Sequence, residues 1–199
     1  HEQGSLAHSR ISMALNVGLL TPRDVVGGLR RALRSGQPTA AVEGLARQVL
    51  GWREYMLHCY LSDEVGEFLE HPTAGHLNNR SELPESWFDS SAPSTGVRLV
   101  DRALLQVKQT GYAHHIERLM VLGAFLLLKQ VRPIEVQRWF LGMFVDAHEW
   151  VMAGNVLCMS QYAIKGWTAR PYFSSSLYLR KMSDVRDPEG YRKWDAMFR

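Results

Sequence analysis

Between Gly111 and Gln161 the chain carries two long apolar runs: GYAHHIERLMVLGAFLLLK and, after a short turn, PIEVQRWFLGMFVDAHEWVMAGNVLCMSQ. Both have the length and periodicity of helices with a buried face. Both also hold groups that a plain core rejects: His114, His115 and Arg118 on the first, Gln137, Asp146, His148 and Glu149 on the second. Buried polar groups are costly unless they find partners. Two helices that both break the apolar rule therefore predict a cavity between them, filled by a shared ligand. Tyr112, Trp139 and Trp150 lie close by in sequence.

The remaining segments read as helices too. Thr21-Pro22 is a cap followed by proline at the first helical position, and the helix runs through DVVGGLRRALR to Gly36. A second helix starts near Pro38 and continues to about Leu61, with Val42, Leu45, Val49, Trp52 and Met56 on one face. Residues 71–96, rich in proline, glycine and serine, form a long irregular connection. Helices are predicted at 97–109, with Gly111 as its stop, and at 112–130, 133–153, 156–164, 175–183 and 189–198. No alternating strand pattern of useful length and no repeat is present, so the fold class is all-α, with residues 1–199 as a single helical domain.

Composition narrows the partners. Lys plus Arg number 23 against 20 Asp plus Glu, so a polyanion can bind only through a local patch. Cys59 and Cys158 have no CxxC spacing and read as free buried thiols in a reducing compartment, which places the chain in the cytoplasm. No apolar run reaches the roughly 18 residues of a membrane span, so no membrane partner is expected. The chain opens at His1 with neither an initiator Met nor a signal-peptide core, and so reads as one whose beginning is missing.

Four constellations carry chemistry. His8-Ser9-Arg10-Ile11-Ser12 crowds hydroxyls and a cation before a helical segment, which suits an anion; the plain reading is a solvated chain start. Gln48, Trp52 and Arg53 share a helix, where an ordinary amphipathic surface is the competing reading. His114 and Arg118 fall on one face and His115 a quarter-turn away. No HExxH frame accompanies them, so no metal is expected. Asp146, with His148, Glu149 and Asn155 nearby, needs a donor inside an apolar helix, and Arg118 on the neighbouring helix could form an ion pair with it.

In order and wording, HSRIS, ALNVGLLTPRDVV, EGLARQVLGWREY, GYAHHIERLMVLG, EVQRWFLGMFVDAHEW, NVLCMSQYA and RPYFSSSLYLRKMSD resemble the C-terminal helical FAD-binding domain of photolyases and cryptochromes. The nearest branch is that of bacterial iron–sulfur cryptochromes and photolyases. The resemblance implies a folded FAD whose diphosphate is held by Ser9 and Ser12. It implies that Gln48, Trp52 and Arg53 line the cavity or lie near it, and that His115 and Arg118 flank the flavin. Asp146 would accept from the ribose or adenine side, and Asn155 would approach the flavin or the lesion pocket. His114 and His115 match the paired histidines of the lesion side, where one could protonate a (6-4) photoproduct. Trp139 and its neighbours would pass electrons to the flavin. Damaged DNA would be the partner, gripped by Arg170, Arg180, Lys181, Arg186 and Arg192.

The chain also departs from that pattern. Leu99, Val185 and Pro188 stand where the resemblance places three of the four cysteines of a four-iron four-sulfur cluster, and the loop of the fourth is deleted. Clusters need thiolates, so no iron–sulfur cluster is expected. The N-terminal antenna domain is expected to be absent, or to sit on a separate antenna-type chain. His148, Met152, Gly154 and Phe140 replace residues usual in relatives. Three functions remain open: light-driven repair of damaged DNA, a light-sensing or redox flavoprotein without repair, and a non-enzymatic relic acting as a binding module.

Overall fold

The computed structural model describes residues 11–89, 91–169 and 172–199. Helices dominate, and the one β contact among the described residues is an isolated parallel bridge between Ser81 and Val131. This agrees with the all-α expectation. No helix among the described residues is long and apolar enough to cross a membrane.

The Thr21-Pro22 signal works as read: Pro22–Arg34 is a helix whose Thr21 and Asp24 cap each other reciprocally, with Pro22 in the first turn. Residues 39–60 form one continuous helix that widens into a π turn over Arg47–Trp52. The sequence reading passed over the next helix, Asp63–Glu70, although Ser62 caps it and Asp63 and Glu64 occupy its first turn, all favourable to a helix start. The described residues of 71–96 are irregular apart from the Ser81 bridge and one 3₁₀ turn at Glu85–Trp87. Arg98–Thr110 ends at Gly111, whose φ of 62° is the left-handed cap that favours glycine.

The second long run is not the continuous helix predicted over 133–153. Pro133–Met143 stops, Phe144 takes an extended conformation, and a new helix starts after His148 and runs over residues 149–160. Asp146 therefore lies in a bend between two helices, not inside one. The short helix expected at 156–164 is the end of this second segment.

The helix of residues 149–160 packs against 53–60, 117–123 and 133–143. Two small residues allow the close approach. A Cβ on Gly123 would collide with Ser160 Oγ, and one on Gly154 would lie 2.7 Å from Met56 Sδ. The largest apolar cluster gathers Trp87, Phe125, Trp139, Phe140, Phe144 and Trp194. Trp139 is fully buried; its indole N–H donates to Trp87 O at 3.0 Å, and its ring meets those of Trp87 and Phe140 edge-on at 5.1 Å. Leu99 is buried in the same cluster, with Val185 packed on it. Beside them the Asp187 carboxylate accepts from Arg98 N at 2.8 Å and Gly190 N at 3.0 Å, joining the N-termini of two helices.

Candidate functional site

Three helical segments widen into π turns: Arg47–Trp52, Glu117–Gly123 and Ala153–Ser160. Each sends side chains into one cleft: Gln48 and Trp52 from the first, Arg118 and Leu119 from the second, Asn155 and Val156 from the third. π turns are uncommon and gather at functional sites, because the extra residue re-aims its neighbours. The cleft encloses about 330 Å³ and continues into a recess of about 210 Å³ beside Arg53 and Trp150. On the other side of Trp52 a larger cleft of about 620 Å³ is walled by Tyr55, Trp167, Tyr172, Phe173 and Tyr178.

The polar centre is Asp146. Arg118 grips its carboxylate with two nitrogens, at 2.8 and 3.2 Å, and Ser12 Oγ donates to it at 2.7 Å. Asn16 donates to its backbone carbonyl at 2.8 Å and accepts from Arg53 Nη1 at 2.7 Å. Arg118 also donates from Nε to Ala113 O, and its guanidinium lies over the Phe144 and Tyr112 rings at 4.3 and 5.3 Å. The ion pair named in the sequence thus forms, with Asp146 in the bend. In the bend Asp146 meets Ser12 and Asn16, partners more than 100 positions earlier in the chain.

The structure gathers Ser12, Gln48, Trp52, His114, His115, Arg118, Asp146 and Asn155 at one cleft, with Arg53 in the adjoining recess. Ser9 lies outside the described residues, as does Arg170. Ser12 turns its proton toward Asp146, so in this arrangement its hydroxyl does not point a donor at a phosphate. Arg53 lies 4.6 Å over the Trp150 ring, and burial lowers its pKa from the ordinary value. Trp139 does not line the cleft; Phe140 stands between it and the cavity. Gln137 is structural: with its amide oriented to satisfy both contacts, it donates to Met152 O at 3.1 Å and accepts from Ala153 N at 3.2 Å.

The two histidines part company. His114 Nδ1 accepts from Glu117 N at 3.3 Å while Glu117 accepts from His114 N at 3.4 Å, a reciprocal cap at the start of the helix. His115 meets Trp52 edge-on at 6.4 Å and faces the cleft. Crowding by protein, then the charges of Arg118 and His114, push its pKa down to about 4. Water still reaches the ring and tempers the first of these.

Sequence reasoning missed Asn16, Glu117 and the aromatic wall beyond Trp52. Glu117 stands three residues after His114, a capping-box spacing that could have been read. Nothing in the sequence ties Asn16 to Asp146.

An all-helical protein with an elongated polar cleft walled by aromatic rings is thus defined by its own geometry. Residues 46–194 match the family described as the FAD binding domain of DNA photolyase. The chain belongs to that family. It is 37% identical over 185 residues, 92% of its length, to a (6-4) photolyase of Agrobacterium fabrum, and spans 35% of that protein. It is also similar to two proteins of Acanthamoeba polyphaga mimivirus. Uncharacterized protein R855 is 34% identical over 82 residues, 40% of this chain and 66% of that one. Uncharacterized protein R853 is 32% identical over 110 residues, 53% of this chain and 77% of that one.

Proposed function

We propose that this chain is a photolyase- or cryptochrome-like flavoprotein that holds FAD in the cleft between Ser12, Arg118 and Asn155. The observation that carries the reading is Asn155: its Nδ2 donates to Val151 O at 2.8 Å, while its Oδ1 is buried on the cleft wall without a partner. An orphaned buried acceptor is costly and fits a ligand that brings an N–H. FAD carries such groups on its flavin ring and on its adenine. Gln48 adds an amide that makes no hydrogen bond among the described residues, and Trp52, Tyr112 and Phe140 offer apolar faces. The residues present therefore fit the group.

When bound, FAD would supply light-driven electron transfer, chemistry that belongs to the cofactor. The protein's part is to bind, orient and exclude water. Arg118 and Asp146 hold each other rigid at the cleft centre. Trp52 forms the partition shared with the larger aromatic cleft. That second cleft suits a base flipped out of a damaged duplex, because an aromatic wall replaces the stacking the base gives up. Arg180 and Lys181 are exposed on the same helix as Tyr178, which lines this cleft, and Arg186 and Arg192 are exposed nearby in sequence. They would meet phosphates in a salt-dependent way. Damaged DNA is the partner under this reading, with an antenna-type chain as a second.

One observation favours the light-sensing alternative. His114 is engaged as a helix cap, and the pKa of His115 is pushed down to about 4, so His115 offers no charged proton donor at neutral pH. Mixing the protein with excess FAD, followed by gel filtration and absorbance, tests the cofactor; no co-eluting flavin would return the chain to a binding module. Illumination with lesion-bearing DNA then separates the two flavoprotein readings. His115→Ala abolishes repair with FAD still bound if the ring acts on the lesion, and repair by a folded, flavin-loaded variant refutes that role.

A further inference from the structure

Cys59 and Cys158 are separated by 99 residues, yet their sulfurs lie 3.2 Å apart. Cys59 sits on the Arg53–Tyr60 helix, and Cys158 on the π turn Ala153–Ser160. The two segments pack directly on each other, brought close at Gly154. Both thiols are free and fully buried, among Val65, Phe68, Leu157 and Ile164. Neither takes part in the polar network around Asp146, and neither occupies a position where the family resemblance places a cluster ligand. Two sulfurs in this contact need to close by only about 1.2 Å to reach the roughly 2.05 Å of a disulfide.

We propose that Cys59 and Cys158 are a reversible disulfide site, closed by hydrogen peroxide and reopened by thiols, that fastens two walls of the cleft to each other. Peroxide is the oxidant that suits burial, because it is not much larger than water, whereas a glutathione disulfide needs a thiol at the surface. The Cys59 thiolate attacks one peroxide oxygen; the O–O bond breaks, hydroxide leaves and takes up a proton, and Cys59 becomes a sulfenic acid. Cys158 then attacks the Cys59 sulfur, the S–O bond breaks, and a second water leaves. Two thiols are oxidised, one peroxide is reduced, and two waters form.

The 3.2 Å contact lets either thiol donate to the other. The pKa of Cys59 is shifted down by this contact and that of Cys158 up by the contact and by burial, which places Cys59 first and Cys158 as the resolving thiol in the proposed order. The bond would tie the helix carrying Trp52 and Met56 to the one carrying Asn155 and so make the cleft more rigid. None of this depends on FAD.

The test treats the reduced protein with stoichiometric peroxide and follows free thiols, peptide mass and melting temperature. Expected are the loss of both thiols, a linked peptide pair containing Cys59 and Cys158, full reversal by dithiothreitol, and a rise in melting temperature of about 5–15 °C, as a disulfide closing a loop of this length gives. Glutathione disulfide should act at least tenfold more slowly. In folded Cys158→Ala, peroxide should leave a Cys59 sulfenic acid that dimedone traps. Retention of both thiols, or oxidation to sulfinic acid without a linked peptide, would overturn the proposal. So would dimedone trapping at Cys158 in Cys59→Ala with none at Cys59 in Cys158→Ala, because the order of attack would then be reversed.

Discussion

Trp139 and Trp52 show how one residue type serves two purposes in this chain. Trp139 is fully buried, its indole N–H bonded to Trp87 and its faces and edges filled by other rings. Trp52 is half-buried, borders the cleft, its recess and the larger aromatic cleft, and its indole N–H makes no hydrogen bond among the described residues. The same contrast separates Gln137, with both amide atoms engaged, from Asn155, with one left open. Around Trp139 the protein has satisfied its own groups; around Trp52 it leaves them for something else. Neither burial nor an open polar atom alone marks the site, since Asn79 Nδ2 and Gln161 Oε1 are also buried without a partner away from the cleft; the open amide beside a half-buried ring on a cavity wall does.

The contrast breaks most visibly by truncation. Trp139→Ala should cost about 3–5 kcal/mol in denaturant unfolding through the cavity it opens. Trp52→Ala should cost about 1 kcal/mol or less, with its effect on FAD retention instead. Equal destabilisation by the two would erase the distinction. Next in size is Arg118→Met, which leaves the Asp146 carboxylate buried with Ser12 as its remaining side-chain partner. A loss of about 3 kcal/mol is expected. Pairing it with Asp146→Asn should recover part of that loss, and simple additivity of the two would show that they are not coupled. Away from both regions, Thr21→Ala removes a reciprocal cap and should cost about 1 kcal/mol, measured by the shift in denaturant midpoint.

The smallest signal is titration. His115 has its pKa lowered to about 4 from an ordinary 6.5, so the unfolded chain binds more protons between those values. Stability should therefore be full above pH 6.5 and fall as pH drops toward 4. His115→Gln should flatten that slope. An NMR titration of the ring with a midpoint near its ordinary value would remove the argument.

The sequence was a good guide where local chemistry decides. Thr21-Pro22 and Gly111 act through the capping and left-handed geometry their residue types favour, and both stand where expected. The bend at residues 144–148 was not legible. Phe144, Val145 and Ala147 continue the apolar pattern without a glycine or proline, and the interruption coincides with Asp146 bonding Ser12, Asn16 and Arg118, partners remote in the chain. Most of the candidate residues meet at the cleft and its recess; Trp139 does not, and Ser9 lies outside the described residues. The sequence put His114 and His115 on different faces of the helix; the structure adds that Glu117 engages the first while the second meets Trp52.

The π turns carry a consequence for how such a cleft can be gained or lost. A π turn is an α turn with one residue more, so removing a residue from 47–52, 117–123 or 153–160 would restore regular winding without breaking the helix. Because the turn absorbs the extra residue, the flanks would keep their register while the side chains of the turn itself are re-aimed. A single in-frame codon deletion at any of these places could thus leave a well-formed helix and turn Trp52, Arg118 or Asn155 away from its neighbours. The site is written in the length of the helices as much as in their letters.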